Sequence, residues 1–448
     1  MNLKMRLTTV VALLAMLMPA RAQEATPTMH LTLDKAIELA LSENPTIKVA
    51  EKEIELKKVS QNEAWQNLLP TASINGSINY AIKAAEMNLG GQTFKMGKDD
   101  ASTWNGTLQV SLPLFAPAIY KSMSLTKADV ELAVEKSRGS RIDLVNQVTK
   151  AYYQLMLAQD SYNVLMENYK IVNAKFQQGS VSEYDKISAE VQKSNAWPSV
   201  ISGKNAVEIA KLQLKVLMGI TADVNLVIDD NLKNHEAEMD KNAAKQAIDL
   251  NNNSSLKSID LQAQLLKKQR NLLKTNFLPT LALSGNLQYQ SLYNKDWGGA
   301  LEPFDGRPKE ECCFEVGDLV EVLSGDTVSL SIPLFQASNF TKLKSNKIQQ
   351  WQLAETRSNT ERMLNMQAQS YLDNMTKSAE QLESNKTAVE LAKKGLEISQ
   401  KRYDVGKGTI LELTNSQVSL TNVQLSYNNT IYDYLVAKSE LNTVLGKE

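Results

Sequence analysis

The stretch Thr71-Ala72-Ser73-Ile74-Asn75-Gly76-Ser77-Ile78-Asn79-Tyr80 alternates without a break: Ala72, Ile74, Gly76, Ile78 and Tyr80 against Thr71, Ser73, Asn75, Ser77 and Asn79. After a polar, glycine-containing insert the pattern returns, with Trp104, Gly106, Leu108, Val110 and Leu112 against Asn105, Thr107, Gln109 and Ser111. Period two sends the two sets to opposite faces of a β-strand. The second face is polar but uncharged. Strands of about ten residues, apolar on one side and mildly polar on the other, are what a membrane barrel wall requires. Leu69-Pro70 opens the first strand and Pro113-Leu114-Phe115 closes the second, because proline cannot sit in the middle of a ladder.

Working outward, the chain begins Met1-Asn2-Leu3-Lys4-Met5-Arg6, followed by an apolar run from Leu7 to Met18 and then Ala20-Arg21-Ala22. That is the pattern of a secretory signal, residues 1–22, with the mature chain starting at Gln23. The run is too short for a membrane anchor, and no later segment has about 20 consecutive apolar residues. Residues 36–67 read as helix, with Thr32 or Asp34 as cap and a break or kink at Asn44-Pro45. From about Ser122 to Phe176 the period becomes helical. Val148, Leu155, Tyr162, Tyr169 and Phe176 recur every seventh residue, interleaved with Val145, Tyr152 and Met166, as in a coiled-coil seam. Gly179 interrupts it, and a return helix runs through Ile187, Val191 and Ile209 to Leu217, kinked or interrupted at Pro198. The two predict an antiparallel hairpin with its tip near Gly179.

The second half repeats the first. Asn276-Phe277-Leu278-Pro279-Thr280 echoes Asn67-Leu68-Leu69-Pro70-Thr71, and Ala247-Ile248-Asp249-Leu250 echoes Ala36-Ile37-Glu38-Leu39. Leu281, Leu283, Gly285, Leu287 and Tyr289 alternate with Ala282, Ser284, Asn286 and Gln288. Val328, Leu330 and Ile332 alternate with Thr327, Ser329 and Ser331, and Pro333-Leu334-Phe335 repeats Pro113-Leu114-Phe115. A second ladder, Met375, Leu382, Val389, Leu396 and Tyr403, leads to Gly406. Leu411, Val418, Leu425 and Tyr432 carry its return arm, and Val444-Leu445-Gly446 ends it as Leu217-Met218-Gly219 ended the first. This is a tandem duplication of helix, strand, strand, long helix, tip and return helix. The expected organisation is signal 1–22, first repeat 23–219, linker 220–240 and second repeat 241–448. Four strands cannot close a membrane barrel, and an open edge in lipid is prohibitively costly, so the chain is expected to associate.

With Leu-Pro opening and Pro-Leu-Phe closing each strand pair, the doubled order resembles that of the TolC-like outer-membrane efflux proteins. So do the tips Lys175-Phe176-Gln177-Gln178-Gly179 and Arg402-Tyr403-Asp404-Val405-Gly406 and the closing Leu-Gly. The resemblance implies a mainly α, α+β fold: tandem long coiled-coil hairpins plus four strands per chain, completing a shared 12-stranded barrel in a homotrimer. It implies an outer-membrane exit duct of a tripartite efflux pump or type I secretion system, extending into the periplasm. The implied partners are a periplasmic adaptor and an inner-membrane transporter. It points to gate and tip residues Phe176, Gly179, Asp185, Tyr403, Gly406, Glu412 and Asn415. Asp185 and Glu412 match the family's acidic position. Gly408 stands where an arginine partner would be, and Asn415 where a second acid would be. Without the family, Asp185 and Glu412 read as ordinary exposed helix charges.

Ser73, Asn75, Ser77, Thr107, Gln109, Ser284, Asn286, Thr327 and Ser329 are expected to line the lumen. Ile74, Ile78, Leu108, Leu283, Leu287 and Leu330 are expected to meet lipid. Asn294 to Asp326, the largest insert, is expected to face outward and holds the only cysteines, Cys312 and Cys313, whose adjacency makes neither a disulfide framework nor a zinc site. A net charge of −1 gives no nucleic-acid signal. The two histidines, His30 and His235, lack a surrounding ligand cluster in sequence, and no Gly-x-Ser-x-Gly elbow appears in the mature chain. No enzyme and no cofactor is therefore expected. Gly406-Lys407-Gly408-Thr409 lacks the glycine spacing and preceding strand of a phosphate loop. The alternatives are a periplasmic coiled-coil scaffold without a channel and a diffusion porin, which has no use for long tip-ended helices.

Overall fold

The computed structural model describes residues 28–83, 85–89, 92–96, 101–177, 183–221, 223–242, 247–294 and 323–447. The signal 1–22, Gly179, Cys312 and Cys313 lie outside them. In chain order the elements are β1 Thr28–His30, α1 Leu33–Glu43, α2 Pro45–Gln66, β2 Thr71–Ala81, β3 Ala85–Leu89, β4 Gln92–Met96 and β5 Ala101–Phe115. There follow α3 Pro117–Gln177, α4 Glu183–Met218, β6 Asn225–Val227, a 3-10 turn Leu232–Glu238, α5 Ser254–Thr275, β7 Thr280–Asn294, β8 Leu323–Ser331, α6 Ala337–Asp404 and α7 Ile410–Val444. Strand pair and long hairpin thus occur twice in the same order. Among the described residues no helix is long and apolar enough to cross a membrane.

The chain forms two compact units, each drawing on both repeats: Met1–Glu51, Lys136–Lys257 and Asn359–Glu448 in one, Lys52–Glu135 and Ser258–Ser358 in the other. The second unit contains one four-stranded antiparallel sheet, ordered β2-β5-β7-β8. Beside it, Lys268 Nζ donates to Ser124 O at 3.0 Å, joining α5 to α3. Polar side chains join α5 to α6: Asn346 Nδ2 donates to Leu266 O at 3.2 Å, and Arg357 Nε to Asp260 Oδ1 at 2.6 Å. Buried asparagines in a helix seam fix register at some cost in stability. Leu56 and Val59 on α2, and Ile348 and Trp351 on α6, are exposed apolar side chains, and Phe340 of α6 stays exposed although its ring meets Phe277 and Phe335.

The first unit holds the main core. Val148, Tyr152, Leu155 and Met156 of α3 pack with Leu372, Met375 and Leu382 of α6 and Ile431, Tyr434 and Leu435 of α7, all buried. α1, the parallel pair β1–β6 and the 3-10 turn close over that core through Ala36, Ala40, Leu226 and Leu232. The heptad ladders are therefore core where they enter this unit. The return arms differ from expectation. Leu411 and Val418 are 61% and 50% exposed, and Ile187, Val191 and Ile209 are exposed too. The buried face of α7 is Ile410, Leu413, Gln417 and Thr421, one position away from the expected stripe. That of α4 is Ala189, Val200, Val207, Ala210 and Leu214. Each return helix has a second apolar stripe that no element among the described residues covers.

Four other differences have local causes. α4 runs without interruption through Pro198. The insert after β2 contains the hairpin β3–β4, and Leu89-Gly90-Gly91-Gln92 carries the two-residue glycine spacing of such a turn. β8 starts at Leu323, which takes Asp326 out of the expected insert and pairs it with Gly285. The echo at 247–250 is not helical, because Asn253 Oδ1 accepts from Leu256 N at 3.0 Å and starts α5 only at Ser254.

The two repeats share a lock. Asn44 Nδ2 donates to Leu217 O, and Asn253 Nδ2 to Val444 O, each at 2.7 Å. Each asparagine also accepts a backbone N–H from the helix that follows it, Thr46 N at 2.7 Å in the first copy. One side chain thus caps the start of one helix and the end of another, satisfying orphan groups at both. The ends themselves turn on Gly219 (φ 68) and Gly446 (φ 67), each with a bond from the following residue to the carbonyl five back: Ile220 N to Lys215 O at 3.1 Å and Lys447 N to Asn442 O at 2.9 Å. This is the glycine C-cap of the left-handed type.

Candidate functional site

The sheet carries the first candidate surface. Its register lines up unbroken rows across four strands: Thr71, Ser111, Ser284 and Thr327 in one, Ser73, Gln109, Asn286 and Gly325 in another. Asn75 pairs with Thr107 and Ser77 with Asn105. Ser329 pairs with Ala282, and its hydroxyl donates to Ala282 O at 3.3 Å. All nine residues expected on the polar face therefore share it. The opposite rows are apolar: Ile74, Leu108 and Leu287; Leu112, Leu283 and Val328. Ile74 is 82% and Ile78 60% exposed, a large apolar face with no core beneath it. On β8 the alternation reading missed two members of this face: Ser324, opposite Leu287, and Asp326. Asp326 stands in the row Ala72, Val110, Gly285, and a Cβ at Gly285 would lie 3.0 Å from its carboxylate, so the glycine makes its room.

The second candidate surface is the helix tips. Phe176 sits in the last turn of α3 and Asp185 in the first turn of α4. At the other tip Tyr403 lies in the last turn of α6, Gly406 turns at φ 71, and Thr409 caps α7 by accepting from Glu412 N at 3.2 Å. The two tips meet. Burial, then the nearby charge of Asp185 and of Asp404, push the Tyr403 hydroxyl above its ordinary value. Deeper in, Gln192 of α4 donates to Thr414 of α7. Glu412 is not an unpaired acid: Arg402 Nη2 lies 3.6 Å from Glu412 Oε2 in the same chain and also donates to Lys407 O at 3.3 Å. Sequence reasoning looked for this cation at position 408, where Gly408 packs against Arg402 instead. The pair crosses the turn, so no fixed helical spacing betrays it. Asn415 is exposed on α7.

Among the described residues no group of His, Cys, Asp and Glu is placed to hold a metal ion. What the two surfaces offer is a sheet with one polar and one apolar face, and helix ends that carry polar side chains.

Comparison with known proteins agrees. The sequence profile described as "Outer membrane efflux protein" matches residues 36–219 and 247–447, the two repeats in turn. The chain is 21% identical to outer membrane protein TolC of Vibrio cholerae over 76% of this chain and 76% of that protein. It is also 21% identical to nodulation protein T of Rhizobium leguminosarum bv. trifolii, over 92% of this chain and 85% of the other. Among solved structures, the Campylobacter jejuni CmeC outer membrane channel superposes with a TM-score of 0.69 at 17% identity, covering 95% of this chain and 90% of that one. The mostly helical α+β fold with a small antiparallel sheet is the fold of these channels, and the family's members are channels rather than enzymes. The chain belongs to the outer membrane efflux protein family, and is a TolC-like channel protein of the outer membrane.

Proposed function

We propose that this protein is the outer-membrane exit duct of a tripartite efflux pump or type I secretion system, working as a homotrimer after removal of residues 1–22. Repeats 23–219 and 241–448, joined by 220–240, each supply two strands and one hairpin. Three chains complete a twelve-stranded barrel; the helix tips around Phe176, Gly179, Asp185, Tyr403, Gly406, Glu412 and Asn415 form the periplasmic mouth. There a periplasmic adaptor and an inner-membrane transporter supply selection and driving force.

The observation that carries this reading is the sheet with two free edges. Among the described residues β2 and β8 each lack a partner on one side, while the two faces are one polar and one apolar. Unsatisfied strand edges do not persist in hydrocarbon. β2 and β8 run antiparallel, so β8 of one copy meets β2 of the next in the same alternating sense, and the ring closes with an even strand number. Such a contact is head to tail, and the rotation must close. The uncovered stripes on α2 and α6, and on α4 and α7, support the same reading, since each gives a neighbouring copy an apolar face to cover. Ala72 to Tyr80 extends about 27 Å along β2, or about 21 Å of depth at a tilt near 40°, most of the ~25 Å apolar band of such barrels.

The test is disulfide crosslinking in a Cys312→Ser, Cys313→Ser background, pairing single cysteines along 72–79 of β2 with single cysteines along 327–331 of β8. Same-face pairs at one register should give covalent dimers and trimers and nothing larger. Monomers for every pair, in protein extracted from membranes, would overturn the ring.

A further inference from the structure

The chain has two histidines, and the fold brings both to one corner: His30 Nδ1 lies 2.6 Å from Asp229 Oδ2, while His235 packs beside the adjacent Asp230. His235 is held from both sides. Its Nε2 is 2.9 Å from Asp230 Oδ2 and its Nδ1 is 2.8 Å from Glu238 Oε1, and its side chain is only 17% exposed. A carboxylate only accepts, so each bond needs a proton on the ring nitrogen. A neutral imidazole has one such proton and an imidazolium two. Both distances are satisfied together only by the charged ring.

The groups around it are all engaged. On α3, the Tyr153 ring meets the imidazole edge-on at 5.8 Å, and Asp160 accepts from Leu232 N at 3.0 Å. On α7, Lys438 Nζ donates to Glu238 Oε2 at 2.6 Å, and Tyr434 donates to Glu238 O at 3.1 Å. On α6, Lys386 pairs with Glu236. Within the turn, Asn234 Nδ2 donates to Asp230 Oδ1 at 2.7 Å.

We propose that His235 is a pH-operated clasp. As imidazolium it bridges Asp230 and Glu238 and holds the two ends of the 3-10 turn Leu232–Glu238 together; as neutral imidazole it releases one carboxylate and the turn loosens. Burial disfavours the charged ring, but the bonds and charges of Glu238 and Asp230 outweigh it and raise the group above its ordinary value of about 6.5. A group raised in the folded state contributes stability fully present below the unfolded value and lost as pH rises through the folded one. The turn is therefore tightest in acid and loosens on the alkaline side of about 6.5.

The experiment uses the full chain in detergent with 13Cε1-labelled histidine, which gives two resonances, assigned by His30→Gln. The His235 resonance should titrate above about 6.5, the ordinary value. Hydrogen exchange of the amides 232–238, corrected for intrinsic rates, should rise about tenfold per pH unit of displacement as the ring titrates. It should be flat with pH in His235→Gln. A His235 midpoint at or below the ordinary value, or exchange with the same pH profile in wild type and His235→Gln, would overturn the clasp. The titration is read on the wild-type protein, so a variant that fails to fold does not shelter the idea.

Discussion

Alanine at Gly219, Gly406 and Gly446, the left-handed glycines among the described residues, should cost in a fixed order, set by what a Cβ would meet. A left-handed backbone costs an L-residue about 1–2 kcal/mol at each. At Gly406, φ 71, an added Cβ has nothing within 4 Å, so this strain is the whole effect. At Gly219 the Cβ would lie 2.8 Å from Glu43 O and 2.9 Å from Glu43 C, backbone atoms that cannot swing away. At Gly446 it would overlap Asn252 O more deeply still, against the segment that holds Asn253 in place. Forcing a methyl into packed backbone costs a further 1–3 kcal/mol or so, giving about 2–5 kcal/mol at these two sites. Amide exchange reads this locally. With about 1.4 kcal/mol per factor of ten, protection of 440–447 should fall by roughly 30-fold or more in Gly446→Ala. Gly406→Ala should leave those amides unchanged and move the thermal midpoint by no more than about 2 °C, all variants being scanned at one rate because detergent unfolding need not be reversible. Equal losses at Gly406 and Gly446 would refute the reasoning, since the close approach would then contribute nothing.

Ile78→Arg should impair membrane assembly by about 2–4 kcal/mol at mid-depth while Ser77→Arg is tolerated, read as the fraction of protein in the outer-membrane fraction; equal tolerance would sink the assignment of faces. Asn253→Ala should cost about 2–4 kcal/mol, one helix cap plus a buried carbonyl left unpaired, measured by urea unfolding, and Asn44→Ala should match it within a factor of two. Arg402→Ala should change stability by less than about 1 kcal/mol, since its pair with Glu412 is half exposed and screened; a larger loss by thermal scan would make that pair more than a surface contact.

The alternation at Thr71–Tyr80 revealed β2 because a wall has two unlike faces, and side-chain parity records them residue by residue. The ladders at Val148 and Met375 were equally legible, since burial in a helix seam repeats with the helix period. The return arms misled for a physical reason. Leu411 and Val418 keep the heptad spacing but stand on a stripe their own chain leaves open, and period alone does not say which of two apolar stripes is inside. Asp326 escaped because a single charge among loop residues looks like loop; only the ladder opposite Gly285 makes it strand. Arg402 was unreadable as the partner of Glu412 because the contact folds across a turn whose shape depends on Gly406. Asn44 and Asn253 did leave a signal. They stand at matching places in the two copies, ahead of Pro45 and Ser254, and aligning the repeats on Asn67 and Asn276, the start of the Leu-Pro-Thr echo, would have exposed them.

The paired asparagine locks have a consequence for how the gene can be cut. Each copy's opening asparagine grips that copy's closing helix, Asn44 that of α4 and Asn253 that of α7, so neither copy borrows its lock from the other. A chain severed at Lys241 should reassemble from two separately encoded fragments, found by the β5–β7 seam rather than by a peptide bond. Seen this way, the covalent link between the halves is a concentration device: it keeps the two contributors to one shared core in equal number and always within reach of one another.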